Sequence, residues 1–286
     1  MKNKDMKNRH AESTPNQKST GITEVRPLAV ITGASSGIGY ELAKVFAKNG
    51  FNLLVTAEDS GILDAGNAFR AIGVDVETFQ VDLATDEGVD RLYQKIKSLA
   101  QHVHSIAINA GVGVGGEFIK TDLKKEMNMV KLNIISTMHL AKHVLRDMVE
   151  HGSGRILFTS SLAAEMPGPY YAVYAATKSF IQSFAEAIRN EVKDTGVVIT
   201  ALQPGATDTN FFKRAGMLDT KAGRAKKDNP ALVAQEGYDA LMAGKDHVVA
   251  GSIMNKIQAG VGKIVSESRG AAMHGQKTKP GSGFTS

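Results

Sequence analysis

The chain has 286 residues, 42% hydrophobic and 22% charged, which is enough for one large α/β domain or two small ones. It contains no cysteine, which excludes disulfides and thiolate metal sites. The net charge of +5 sits at the ends, where residues 1–24 carry five basic and three acidic side chains and residues 263–286 carry four basic ones and Glu267, so the body is neutral and nothing argues for nucleic acid.

The opening MKNKDMKNRHAESTPNQKST has no apolar segment and reads as a disordered polar arm over 1–24, neither a signal peptide nor a membrane anchor. A cytoplasmic location without membrane contact is the expectation. From there short apolar, β-branched runs alternate with helical periodicity. The runs are LAVIT (28–32), NLLVTA (52–57), VETFQVDL (76–83), HSIAINA (104–110), GRILFTSS (154–161), VVITALQPG (197–205) and HVVAGS (247–252). Ile38, Leu42, Val45 and Phe46 form an apolar stripe ended by Gly50. Alternation of this kind predicts an α/β domain with a mostly parallel seven-stranded sheet covered on both faces, over 25–274. The segment 253–273 is weakly amphipathic and packs on the domain or on a partner subunit. Residues 275–286, ending GQKTKPGSGFTS, read as a flexible tail.

Directly after the first run comes TGASSGIG (32–39), with Gly33, Gly37 and Gly39 between a strand and a helix. Such a turn lets backbone approach a diphosphate at the positive end of a helix; a plain tight turn is the alternative. The lysine of an NTPase phosphate loop is absent. Further on lie Asn109-Ala110-Gly111, Asn133 in MVKLNIIS, Ser161 in FTSS, Tyr174 followed four residues later by Lys178, and Pro204-Gly205. Together, in this order, these motifs resemble the short-chain dehydrogenase/reductase family over about residues 25–260.

The resemblance implies a doubly wound Rossmann-type fold, a nicotinamide dinucleotide, and hydride transfer between a secondary alcohol and a ketone, with a homodimer or homotetramer expected. It implies that Tyr174 is the general acid/base, that Ser161 bonds the substrate oxygen with Ser160 as support, and that Lys178 also binds the nicotinamide ribose. Asn133 would hold a water in a proton relay with Lys178. Cofactor contacts would come from Gly33, Ser35, Ser36, Gly37, Ile38 and Gly39, from Glu58, from Asp82 and Leu83 at the adenine, and from Asn109, Ala110 and Gly111. Tyr174, Lys178, Pro204 and Gly205 complete that site, with Thr207 and Thr209 at the carboxamide and diphosphate. Asp82 alone would equally suit a helix N-cap.

Among the three tyrosines of YYAVYAATKS (170–179), helical spacing puts only Tyr174 on one face with Lys178. A free phenol titrates near 10, and a neighbouring ammonium is expected to lower that value. Tyr170 and Tyr171 read as substrate-wall or packing residues. At the second strand the chain departs from the family. Ala57-Glu58-Asp59 offers neither the aspartate common in NAD-preferring members nor the arginine of NADP-preferring ones, but two carboxylates would repel a 2′-phosphate, so NAD is favoured over NADP.

The stretch 207–230 reads as a mobile lid, with Phe211, Phe212, Met217 and Leu218 as substrate wall or lid anchors. None of the eight histidines sits in a motif-like ligand pair, and no metal site is expected. The rival to an enzyme acting on a small alcohol or carbonyl compound is a catalytically silent dinucleotide-binding sensor or scaffold.

Overall fold

The computed structural model describes residues 26–262 and 266–284; the expected arm at 1–24 lies outside them. Seven strands form one sheet: β1 (Leu28–Thr32), β2 (Asn52–Ala57), β3 (Val76–Gln80), β4 (Val103–Ile108), β5 (Gly154–Thr159), β6 (Val197–Pro204) and β7 (His247–Ala250). Their order is β3-β2-β1-β4-β5-β6-β7 and every pairing is parallel. Central strands are buried on both sides, which is why LAVIT is apolar throughout instead of alternating. The order reverses at β1, and the crevice between the carboxyl ends of β1 and β4 is where such sheets take ligands.

Helices α1 (Gly37–Lys48), α2 (Gly61–Arg70) and α9 (Pro230–Met242) cover one face. There Phe46 is fully buried and meets Phe51 and Tyr238 edge-on at 5.1 and 5.0 Å. The predicted stripe of α1 holds, with Leu42, Val45 and Phe46 buried, and Gly50 follows at φ +83°, a left-handed stop that glycine adopts without strain. On the other face lie α3 (Asp86–Ser98), α5 (Thr137–His151) and α6 (Ala172–Glu191), packed on Ile106, Ile156 and Phe158.

Helix α4 (Leu123–Val130) runs into α5 through a π-helical turn, Lys131–Ser136. Beyond β6 the chain makes two short helices, α7 (Phe211–Arg214) and α8 (Lys221–Arg224). After β7 come α10 (Ile253–Gly262) and α11 (Glu267–Thr278). Helix α11 corrects the expectation of a flexible tail from 275. Gly270, His274 and Thr278 recur every fourth residue and are buried, and a 3-10 turn at Ser282–Phe284 follows. Thr278 Oγ1 donates to the Pro169 carbonyl at 2.8 Å, the Lys221 N–H donates to Ser282 Oγ at 3.0 Å, and the Gly281 N–H donates to Asp219 Oδ2 at 2.7 Å. Hydrogen bonds and small residues, not apolar periodicity, hold this segment.

Candidate functional site

A cleft of about 500 Å³ opens at the carboxyl ends of the strands. Its floor is the glycine turn. Gly33 and Gly37 hold φ of +68° and +61°, the left-handed region that glycine favours. A Cβ on Gly39 would lie 2.1 Å from the Gly33 carbonyl oxygen, so only glycine lets α1 start this close to β1. The residue before α1, Ser36, makes no side-chain cap, and no acidic residue stands in the first turn. The helix therefore presents uncompensated N–H groups to the cleft, an arrangement that fits a diphosphate. Asn109 ties the neighbouring strand ends: its amide donates to the Thr32 carbonyl at 3.1 Å, and Thr159 Oγ1 donates to its carbonyl at 3.1 Å.

Beside the ends of β2 and β3, Glu58, Asp59, Asp82 and Leu83 line the wall. The carboxylate brought to the glycine turn is that of Asp59, which accepts from Ser35 Oγ at 2.9 Å and from the Gly61 N–H at 3.0 Å. Glu58, expected at the cofactor, is exposed and accepts a bond from Gln80 through its main chain. Asp82 is not the cap of α3; Thr85 is, while Asp82 accepts from the Ala84 N–H at 2.8 Å. Thr207 and Thr209 line the cleft, and Thr209 packs against Gly37 beside the turn.

Deeper in the cleft, Ser161 follows β5 and caps a 3-10 turn, accepting from the Ala163 N–H at 3.1 Å. Its hydroxyl lies close enough to the Tyr174 phenol to favour the phenolate. One turn further along α6, Lys178 Nζ lies 5.8 Å from the Tyr174 ring centre and donates to the Thr159 carbonyl at 2.7 Å. Ser160 donates to the Lys178 carbonyl at 3.1 Å.

Asn133 sits in the π turn, buried, and both its amide donors are spent, on the Val112 carbonyl and on Thr177 Oγ1, each at 3.0 Å. Its carbonyl accepts from the Val112 N–H at 3.0 Å. The side chain is thus a brace between the loop after β4 and α6. A Cβ on Gly111 would meet both Asn133 Oδ1 and Lys178 Nζ, at 3.1 and 3.5 Å, so Gly111 keeps this corner open.

Burial sets the electrostatics. It raises the Tyr174 phenol to about 12, with the Ser161 hydrogen bond pulling the other way. It lowers the Lys178 ammonium to about 8. Lys178 does not lower the phenol as expected: burial raises it, and depresses the ammonium, because desolvation penalises both charged forms. Between about 8 and 10.5 the unfolded lysine binds a proton that the folded one has released, so stability rises with pH across that window; the phenol acts oppositely between about 10 and 12. Lys178→Met is expected to stabilise the fold near pH 7 by on the order of 2 kcal/mol, an advantage that shrinks as pH approaches 10. Urea melts of both proteins at two pH values measure it, and a pH-independent gap would show that no buried charge is at stake.

Around Tyr174 gather Tyr171, Phe211, Phe212 and Met217, all expected as wall or packing residues, together with His274, which had no expected role. Tyr171 stacks on Tyr174 with ring centres 5.9 Å apart, and its hydroxyl bonds His274 Nδ1 at 3.3 Å. Phe211 packs on Tyr174 at 4.9 Å, and Phe211, Phe212 and Met217 all line the cleft. His274 is held low by burial, opposed by a bond to the Pro167 main chain. Tyr170 is not among the residues lining the cleft; its φ is +64° and its carbonyl accepts from the Gly116 N–H at 2.7 Å. No described helix is long and apolar enough to cross a membrane.

Residues 27–217 match the model of the short chain dehydrogenase family. The uncharacterized oxidoreductase YmfI of Bacillus subtilis is 31% identical over 189 residues, covering 65% of this chain and 77% of that one. Among solved structures, a short-chain dehydrogenase from Sphingobium yanoikuyae in complex with NADPH superposes with a TM-score of 0.73 at 25% identity, over 78% of this chain and 87% of the other. A short chain dehydrogenase/reductase from Burkholderia phymatum in complex with NAD gives 0.73 at 22% identity, over 78% and 88% of the two chains, a likeness of fold. With its glycine turn and its serine, tyrosine and lysine at the ends of β5 and α6, this chain belongs to the short-chain dehydrogenase/reductase family of oxidoreductases.

Proposed function

We propose that the protein interconverts a secondary alcohol and a ketone with NAD as the preferred partner, and that Tyr174 is its general acid/base. The observation that carries this is the convergence of Ser161 and Lys178 on one buried phenol beside a diphosphate-shaped turn. Gly33, Ser35, Ser36, Gly37, Ile38 and Gly39 would hold the diphosphate, Asp82 and Leu83 the adenine, and Lys178 the nicotinamide ribose. A bound nicotinamide dinucleotide supplies or accepts the hydride at the carbinol carbon.

The rest falls to the protein. Ser161 donates to the substrate oxygen as negative charge grows on it. Tyr174 passes its proton to that oxygen in reduction and takes one back in oxidation. With its proton held up to about 12 by burial, the phenol is a donor at neutral pH, which suits reduction. Lys178 is an ammonium below about 8 and then favours the phenolate left after transfer. Asn133, with both donors engaged, keeps the loop of Gly111 against α6. A screen of ketones with NADH and of alcohols with NAD tests the reading. Tight NAD binding with no turnover of any substrate would instead make the protein a sensor.

Cofactor choice rests on Glu58 and Asp59. A 2′-phosphate set near the Asp59 carboxylate meets like charge worth on the order of 1 kcal/mol or more, and 1.4 kcal/mol is tenfold. The expected result is a preference for NAD of about tenfold in kcat/KM. Glu58→Arg is expected to shift it toward NADP, since guanidinium pairs with phosphate through two hydrogen bonds. A parent enzyme that already prefers NADP would overturn this reading.

A further inference from the structure

Away from the cleft, α3 and α5 bring three metal-binding side chains to one point. His139 and His143 stand four residues apart on α5, on one helical face, and both are partly buried. Their Nε2 atoms converge on the same oxygen of Asp90, on α3, at 3.1 and 3.9 Å. All three donor atoms lie within 4.8 Å of one another. Zinc binds imidazole nitrogen and carboxylate oxygen at about 2.0–2.2 Å, so neighbouring donors in a tetrahedral shell stand about 3.3 Å apart. The cluster brackets that value.

The His143 imidazole is also held in place. The Tyr93 ring stacks on His143 with centres 4.3 Å apart and planes 18° apart. The Tyr93 hydroxyl donates to Asp147 at 3.2 Å, and Lys97 pairs with the same carboxylate at 3.3 Å. Ligands oriented by a surrounding layer of hydrogen bonds and packing are what a metal site needs beyond its donor set. A second group, Glu186, Asp246 and His247, has one imidazole and two exposed carboxylates, a weaker set for the same ion.

We infer that Asp90, His139 and His143 form a binding site for a zinc-class divalent ion, one that pins α3 to α5 with water completing the shell. Two imidazoles and one carboxylate suit zinc, whereas magnesium and calcium take oxygen ligands. The site lies outside the cleft and serves stability, since a ligand bound only by the folded state shifts the unfolding equilibrium.

Isothermal titration of the full chain with zinc chloride at about pH 7.5, where free imidazole is neutral, tests this. The expected result is one saturable ion per chain with a raised Tm. The affinity should fall at least about tenfold in His143→Gln and in Asp90→Asn. His247→Gln should bind like the parent, and magnesium chloride should not bind at the site. Asp90 is exposed, so its variant folds even where the histidine change perturbs α5. Absence of saturable zinc binding, or an affinity unchanged in both variants, overturns the inference. Turnover in the cleft should be the same with and without zinc.

Discussion

Tyr174→Phe is expected to lower kcat by about 10²–10⁴-fold, the span a positioned proton donor supplies, while the dissociation constant for the dinucleotide is expected to stay within about twofold. The variant loses one oxygen. The ring remains, stacked between Tyr171 and Phe211, so the pocket keeps its shape. What disappears is the hydroxyl proposed as proton donor, beside Ser161. Tyr170→Phe is expected to retain nearly full activity, because that residue contributes its main chain to Gly116. Tyr171→Phe is expected to keep most of kcat and to shift KM modestly, through the lost bond to His274. Steady-state kinetics on one ketone, with cofactor titrated separately, distinguishes the three. Near-parental kcat in Tyr174→Phe would move the proton-transfer role to another group.

The cleft's layout was legible because its residues sit where strands end. Gly33, Asp82, Asn109, Ser161 and Pro204-Gly205 each follow or close an apolar run, and a parallel sheet gathers those ends along one edge. Tyr174 and Lys178 share a helix, so spacing alone related them. Other features depend on partners remote in sequence. The π turn around Asn133 leaves no trace in the periodicity of MVKLNIIS; it is braced by Val112 and Thr177, from other elements. The bond from Ser35 to Asp59 requires β2 to end beside the turn. The titration of Tyr174 could not be inferred from an adjacent lysine, because burial acts on both groups and its extent is a property of the packed molecule. His139 and His143 gain their carboxylate only once α3 lies against α5.

The C-terminal helix is the case where pattern misled most, and removing it carries the second large expected effect. Truncation after Val265 is expected to raise KM for the carbonyl substrate by at least about tenfold, leave the affinity for the dinucleotide nearly unchanged, and lower Tm by several degrees. Helix α11 lines the cleft through His274, Lys277 and Thr278, on the side of Tyr171 and away from the glycine turn. Its bonds to Pro169, through Thr278, and to Tyr171, through His274, hold the segment that leads into α6. Without them the wall opposite Tyr174 opens to water, which weakens substrate binding and the low-dielectric setting that keeps the phenol protonated. His274→Ala should reproduce the KM effect in part with a smaller change in Tm, because the helix stays anchored by Thr278, Gly281 and Ser282. A truncated chain with parental KM and Tm would mean that α11 rests on the domain without contributing to it. A loss of dinucleotide affinity equal to the loss in KM would mean that the whole cleft, not the substrate wall alone, depends on this helix.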